Sequence, residues 1–260
     1  MATAGADGSR IARLPRALRG PAAAAQRVLA ALGRLRSSPY VFEADGMATA
    51  WHSPFLADET WQARYDEMAR DWFSGGVVDV RWRMWILTEL ARRMDGLGAF
   101  AEFGTNRGGC AYMMLATTQR SALHMFDTFA GIPDANLTDE ERAAGFAGSW
   151  ADTSVEHVRR RLGEWPERTR FWVGDVFETL QTADTGELAL VHMDLNAAAA
   201  TRRALQYALP RLRAGGLIVF DDYGFTGYED QRAVVDAFFA GERDRPVALP
   251  TGQALLLKTA

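Results

Sequence analysis

The amino-acid sequence predicts an α/β fold with a seven-stranded, mostly parallel sheet, and three observations carry that prediction. Leu188–Met193 and Leu217–Phe220 are apolar runs separated by a small-residue helical segment, Ala198–Leu209, broken at Pro210 and Gly215-Gly216. A crossover of that length returns the chain parallel to its start, with right-handed sense. Earlier apolar runs at Ala99–Phe103, Leu123–Phe126 and Arg170–Val173 close on Glu102, Asp127 and Asp175 at β/α spacing. Finally, Pro246–Leu249 and Ala254–Leu257 flank Pro250-Thr251-Gly252, which reads as an antiparallel edge hairpin. With 260 residues, 48% of them hydrophobic, the chain can bury one sizeable core with an appended helical piece.

Residues 1–38 are rich in alanine and arginine, from Arg10 to Arg36, with Asp7 as the sole acid. They read as a poorly ordered basic extension. Residues 39–98 read as an N-terminal helical cap and 99–260 as the main domain. The formal net charge of −4, with no concentrated basic face beyond the N-terminus, argues against a nucleic-acid partner. A single cysteine, Cys110, excludes an internal disulfide or a cysteine metal cage and fits the cytoplasm. No apolar run approaches the roughly 20 residues needed to span a bilayer, so stable membrane insertion is not expected.

From Leu56 to Phe73 the residues Trp61, Tyr65, Met68 and Trp72 recur at helical spacing, up to Gly75-Gly76. A second helix is predicted over Asp79–Met94, with Val80, Met84, Leu87 and Ala91 on one stripe. Both suit the outer layer over one sheet face. Trp82 and Trp85 belong with Trp61 and Trp72 as core aromatics rather than cleft residues.

The run Glu102-Phe103-Gly104-Thr105-Asn106-Arg107-Gly108-Gly109 joins a strand to a helix predicted over Cys110–Thr118. Glycines there let a ligand approach the backbone, and free amides with the positive helix end suit anionic groups. The spacing differs from the dinucleotide fingerprint and resembles the first motif of the class I S-adenosylmethionine (SAM) methyltransferases. Asp127, about twenty residues on, suits the two hydroxyls of a ribose, and Gly174-Asp175 suits an adenine amino group. The expected SAM-binding set is Glu102, Phe103, Gly104, Thr105, Asn106, Gly108, Asp127, Thr128, Gly174, Asp175 and Asp194. Between the second and third strands, Gly131-Ile132-Pro133 opens a long connection with two expected capping boxes, Thr138/Glu141 and Thr153/Glu156. Extra helix here suggests a lid, with Phe146, Trp150 and His157 able to touch an acceptor; a surface insertion anchored by those aromatics is the other reading.

Asp194 ends one crossover strand and Asp221-Asp222 end its partner. Both ends fall on the same sheet edge, roughly 5 Å apart on neighbouring strands, and that edge is where open parallel sheets bind ligands. Three gathered carboxylates repel one another, and a bound cation relieves this. Oxygen-only ligands suit a hard ion such as Mg2+.

Together, Glu102-Phe103-Gly104 with Arg107-Gly108-Gly109, Phe126-Asp127-Thr128-Phe129-Ala130-Gly131-Ile132-Pro133, Val191-His192-Met193-Asp194-Leu195-Asn196, Phe220-Asp221-Asp222-Tyr223-Gly224 and Leu249-Pro250-Thr251-Gly252-Gln253 resemble the macrocin O-methyltransferase family (TylF/MycF type) from about Asp79 to Lys258. That resemblance implies the class I SAM-methyltransferase (Rossmann-like) sheet. It also implies an Mg2+-dependent transfer of a methyl group from SAM to a sugar hydroxyl of a natural product, as in antibiotic biosynthesis. The implied acceptor is a small-molecule glycoside or diol, the implied metal ligands are Asp194, Asp221 and Asp222, and a homo-oligomer is expected. Two positions depart from the family pattern. Asn196 stands where relatives often carry a second acid that could act as general base; with Asp194 and Asn196, His192 is therefore placed in the candidate catalytic group. Ala197-Ala198-Ala199-Ala200 replaces a bulky pair, which should widen the pocket near the metal. A catechol-type phenol methyltransferase would need the same acids but usually a lysine where Ala197 stands. A SAM-binding protein without turnover is the non-enzymatic alternative.

Overall fold

The computed structural model describes residues 40–70 and 79–260. The basic extension, Trp72, Phe73 and Gly75-Gly76 lie outside the described residues. The described residues divide into two units, 40–43 with 48–52, and 44–47 with 53–70 and 79–260. A short hairpin, β1 (Phe42–Ala44) and β2 (Met47–Thr49), has no counterpart in the sequence reading. It turns at Asp45-Gly46, with φ of 52° and 74°, the left-handed pair that a tight two-residue hairpin turn requires.

In the larger unit, β3 (Ala99–Phe103), β4 (Leu123–Asp127), β5 (Thr169–Val173), β6 (Leu188–Met193), β7 (Leu212–Phe220), β8 (Val247–Ala248) and β9 (Ala254–Leu257) form one sheet in the order β5-β4-β3-β6-β7-β9-β8. Strands β3 to β7 pair in parallel, while β9 runs antiparallel to β7 and β8. The α/β sheet with its closing hairpin is therefore the one the sequence predicts. The helices are α1 (Glu59–Ala69), α2 (Arg81–Met94), α3 (Gly109–Thr117), α4 (Asp139–Ala143), α5 (Val155–Arg161), α6 (Val176–Thr179), α7 (Ala198–Arg211) and α8 (Glu229–Phe238).

Period-two alternation decides what each strand presents to each layer. Ala101, Phe103, Val191, Met193, Ile218 and Phe220 join the apolar cluster that includes Ala204 and Leu205 of α7 and Val235 of α8. The intervening residues, Glu102 and His192 among them, therefore face the α2/α3 layer. There the predicted stripe of Val80, Met84, Leu87 and Ala91 is at most 2% exposed, each large side chain contributing about 1.5–3 kcal/mol. Trp61, Tyr65 and Met68 of α1 are equally buried, and Trp61 meets Phe55 and Trp85 ring to ring.

Several boundaries differ from the sequence reading. Helix α7 runs through Pro210 to Arg211; the ring removes a backbone donor and crowds the preceding turn, and the helix ends one residue later. The Thr138/Glu141 capping box forms, whereas the second expected box does not. Ser154 caps α5 by accepting from His157 N, and Thr153 instead donates its hydroxyl to the Asn106 carbonyl at 3.0 Å. Two candidate caps side by side are resolved by which one has a tertiary partner.

On the edge side of the sheet, Trp172 donates its indole N–H to His124 Nδ1 at 3.2 Å, which requires an unprotonated ring nitrogen. Burial, with Arg170 nearby, holds the His124 pKa down to about 4. The unfolded imidazole titrates near 6.5, so between these values the unfolded chain binds more protons; stability is complete above 6.5 and is lost as pH falls toward 4. His124→Gln, which keeps an acceptor for Trp172, should show a shallower fall in Tm between pH 6.5 and 4 than the parent chain; parallel curves in a thermal-melt series would contradict this.

Candidate active site

The carboxyl ends of β3 to β7 and the loops that follow them surround a cavity of about 290 Å³. One half is built on the turn after β3. Asn106 and Gly108 adopt positive φ, 47° and 74°, with Gly108 heading α3, so the turn curls its amides toward the helix end. Gly104, at φ 87°, lies against β6: a Cβ there would fall 1.9 Å from the Asp194 carbonyl oxygen. Only glycine permits the β3 and β6 ends to close this far, with Asp194 N donating to Phe103 O at 2.8 Å.

Gly104, Thr105, Asn106, Asp127, Thr128, Gly174 and Asp175 all line the cavity, as does Glu102. Phe103 and Gly108 do not. The Phe103 ring stacks on Phe126, with centroids 4.6 Å apart, and Gly108 is packed toward Val158. Asp127 accepts from Asn106 N at 2.7 Å and Phe129 N at 2.6 Å, with the Thr105 amide also turned to it, which leaves part of the acceptor capacity of the carboxylate free. Asp175 caps α6 through Phe177 N and accepts from Asn136 Nδ2 at 2.8 Å.

The other half gathers charge. Strand register sets Met193 opposite Phe220, so Asp194 and Asp221 leave adjacent strand ends; Asp194, Asp221 and Asp222 all line the cavity. Ligand atoms of His192, Asp194 and Asp221 lie within 4.8 Å of one another. Asp221 is held on both oxygens, by Gln253 Nε2 at 2.9 Å and by Arg83 Nη1 at 2.7 Å. Although burial opposes it, the Arg83 guanidinium and His192 keep the Asp221 carboxyl well below the usual range. Burial and the Asp221 charge raise Asp222 to about 7 and push Asp194 well above its ordinary value.

His192 does not line the cavity; it sits wholly buried beneath the acids, Nδ1 3.3 Å from Glu102 Oε1 and Nε2 3.6 Å from Asp221 Oδ1. Burial alone would lower its pKa, but the flanking Asp221 and Glu102 carboxylates outweigh burial and push it up to about 10. Asn196 takes a left-handed φ of 55° and donates Nδ2 to Asp194 Oδ1 at 3.0 Å.

Among the described residues, Glu102 Oε2, Thr105 Oγ1, Asn106 Oδ1 and Asn196 Oδ1 are buried side-chain atoms with no hydrogen-bond partner in the chain, and all four belong to residues that line this cavity. Buried polar atoms left unmatched cost about 1–3 kcal/mol each, so their concentration here marks a wall shaped for a polar ligand. Five carboxyls, of Asp45, Glu102, Asp194, Asp221 and Asp222, face two cationic groups, Arg83 and His192. That imbalance, with oxygen donors gathered at one edge, fits a hard divalent cation.

The connection from Thr128 to Leu162 crosses this opening. Trp150 lines the cavity, Phe146 packs on Tyr228 at 5.4 Å, and Arg107 pairs with Asp152 at 2.9 Å. His157 is not among the lining residues. Sequence reasoning missed Arg83, Phe225 and Tyr228, all of which line the site. The two aromatics follow the acid pair closely enough to have been suspected; Arg83, on a distant helix, carried no local signal. Ala197 and Ala200 line the cavity, while Ala198 is buried and donates its N–H to Glu141 Oε1 at 2.8 Å.

A family model described as macrocin-O-methyltransferase (TylF) matches residues 53–244. An 8-demethyl-8-(2,3-dimethoxy-alpha-L-rhamnosyl)-tetracenomycin-C 4'-O-methyltransferase of Streptomyces olivaceus is 30% identical over 149 residues, 52% of this chain and 57% of that protein. Mycinamicin III 3''-O-methyltransferase of Micromonospora griseorubida is 31% identical over 144 residues, 50% and 57% of the two chains. The matched part thus spans little more than half the length of these relatives. Among solved structures, the O-methyltransferase NovP superposes with a TM-score of 0.68 at 20% identity, covering 80% of this chain and all of that one. The calicheamicin methyltransferase CalS11 gives 0.59 at 19% identity, over 80% and 94%. Likeness at this identity establishes the shared fold.

Gly104→Ala tests whether the close approach of β3 and β6 holds the site together. Backbone cannot yield by the distance a Cβ there demands, so the variant should lose about 3 kcal/mol and roughly 5–10 °C in Tm by calorimetry. An unchanged melt would remove the constraint.

Proposed function

The chain belongs to the macrocin O-methyltransferase family, and from that membership we propose that it transfers the methyl group of SAM to a sugar hydroxyl of a small-molecule glycoside, with a divalent cation such as Mg2+ held by Asp194, Asp221 and Asp222. The observation that carries the reading is the convergence, on one cavity at the carboxyl edge, of these aspartates and four buried polar atoms without a hydrogen-bond partner, on Glu102, Thr105, Asn106 and Asn196. The relatives named for rhamnosyl-tetracenomycin and mycinamicin substrates support the sugar class.

In this reading the two halves of the cavity divide the work. Asp127 uses the lone pairs left by the Asn106 and Phe129 amides to hold ribose hydroxyls, and Asp175 with Asn136 borders the adenine end. The turn after β3 supplies amides to the amino-acid end of the cofactor, beside Glu102. SAM brings a methyl already activated on a sulfonium, so the protein's task is alignment of an oxygen nucleophile behind it. Asp194, Asp221 and Asp222 would hold the cation, and its charge would lower the pKa of a hydroxyl brought to it. Asn196 cannot take the released proton. His192 lies beneath the acids, so its positive charge serves to keep Asp221 ionised. The released proton then passes to water or to a lining carboxylate oxygen that the cation does not engage. Trp150 and Tyr228 close the acceptor side against water.

Metal-dependent turnover on a panel of glycosides carrying vicinal hydroxyls is the expected outcome, abolished by chelation. Asp221→Asn should lower that turnover at least about a hundredfold while calorimetric SAM affinity stays within about threefold, because Asp221 is not among the residues expected to hold the ribose and adenine. SAM binding without turnover on any diol, with or without Mg2+, would instead favour a SAM-binding protein, a reading for which the amide of Asn196 in place of a carboxylate is the supporting observation.

A further inference from the structure

Arg83 lies outside every motif of the sequence and has no part in the reaction as outlined, yet it is the most heavily engaged cation of the site. Its Nη1 is 2.7 Å from Asp221 Oδ2 and 3.4 Å from Asp222 Oδ1, and its Nε is 2.9 Å from Asp45 Oδ2. The guanidinium also lies over the Phe225 ring at 4.7 Å, and the side chain is only 15% exposed.

A buried cation touching acidic ligands can act in two ways. Standing behind the carboxylates, it orients them and assists metal binding, as supporting groups commonly do. Standing on the same side as the ligand, it is a rival charge. His192 and Gln253 stand behind Asp221 and do not line the cavity, whereas Arg83 lines it together with Asp194, Asp221 and Asp222. One nitrogen, Nη1, reaches both members of the Asp221-Asp222 pair, and Asp45, in the tight turn between β1 and β2, anchors the far edge of the guanidinium.

We infer that Arg83 is a built-in counter-cation for the Asp221-Asp222 pair, one that keeps these carboxylates together without a metal and opposes the binding of a divalent cation at the same acids. The inference rests on the reading of Asp194, Asp221 and Asp222 as a cation site. It makes the site a weak one: an entering ion competes with a fixed unit charge, and the affinity is set by that competition.

Mn2+ titration of the full-length protein, followed by the loss of the free-ion electron paramagnetic resonance signal, tests it without reference to turnover. Arg83→Met should bind Mn2+ roughly ten- to hundredfold more tightly than the parent chain, with a lower Tm in the absence of metal and a larger gain in Tm on adding Mn2+. Arg83→Gln, which keeps a hydrogen-bond donor for Asp221 and is the safer variant to fold, should also tighten binding. Arg83→Lys, which keeps the charge, should stay within about threefold of the parent. Equal or weaker Mn2+ binding in both Arg83→Met and Arg83→Gln, while Asp221→Asn still weakens the parent site, would overturn the inference and leave the cation site standing. Absence of Mn2+ binding in the parent and in all Arg83 variants would overturn both.

Discussion

The constraint on which this molecule depends is the confinement of like charges at one sheet edge. Parallel register carries Asp194 and Asp221-Asp222 to neighbouring strand ends, and closure of β3 on β6 at Gly104 brings Glu102 beneath them. In a site this buried, carboxylates cannot remain ionised side by side without compensation. The chain answers with His192 below, Arg83 alongside, and neutral donors from Gln253 and Asn196. Each comes from a different element, so the acid cluster also acts as a tie between β6, β7, α2 and the turn before β9.

Compensation is deliberately incomplete in the sense that two cationic groups face five carboxyls. The strong pull of Arg83 and His192 on Asp221 leaves Asp194 and Asp222 to absorb the remaining repulsion through raised pKa values. Asn196 fits this picture better than an acid would: a further carboxylate two residues from Asp194 would add a like charge, while the amide donates to Asp194 Oδ1 and leaves Oδ1 of its own toward the cavity.

Much of this was legible in the sequence because it is local. Apolar runs closing on acids gave the sheet, the acids and the order of the cofactor half; Thr138 three residues before Glu141 gave a capping box; the stripe from Val80 to Ala91 gave the buried face of α2. The parts that were not legible depend on contacts across long stretches of chain. Arg83 meets Asp221 over 138 residues of separation, and on a helical wheel it reads as an ordinary flanking charge. Thr153 and Ser154 are equally good caps by composition, and the choice falls to Ser154 because Thr153 is taken by Asn106. His192 was placed by pattern on the strand but not in depth, since strand alternation says which face a residue has and not whether it reaches the cavity.

The alanine run after Asn196 gains a physical reason from the connection that carries α4. Ala197, at the N-cap of α7, has no side chain to satisfy the first amides, and the missing acceptor arrives from α4: Glu141 Oε1 takes Ala198 N–H while its Oε2 takes Thr138 N–H. One buried carboxylate thus serves two helix starts, each with a positive dipole end that favours it. Ala197 and Ala198 are at most 2% exposed, so Glu141 reaches the Ala198 amide past methyl groups alone. Small side chains at the start of α7 and the seating of Glu141 are therefore one adaptation. The wall of the cavity here is shaped by what the α4 connection brings in, as well as by what α7 leaves out.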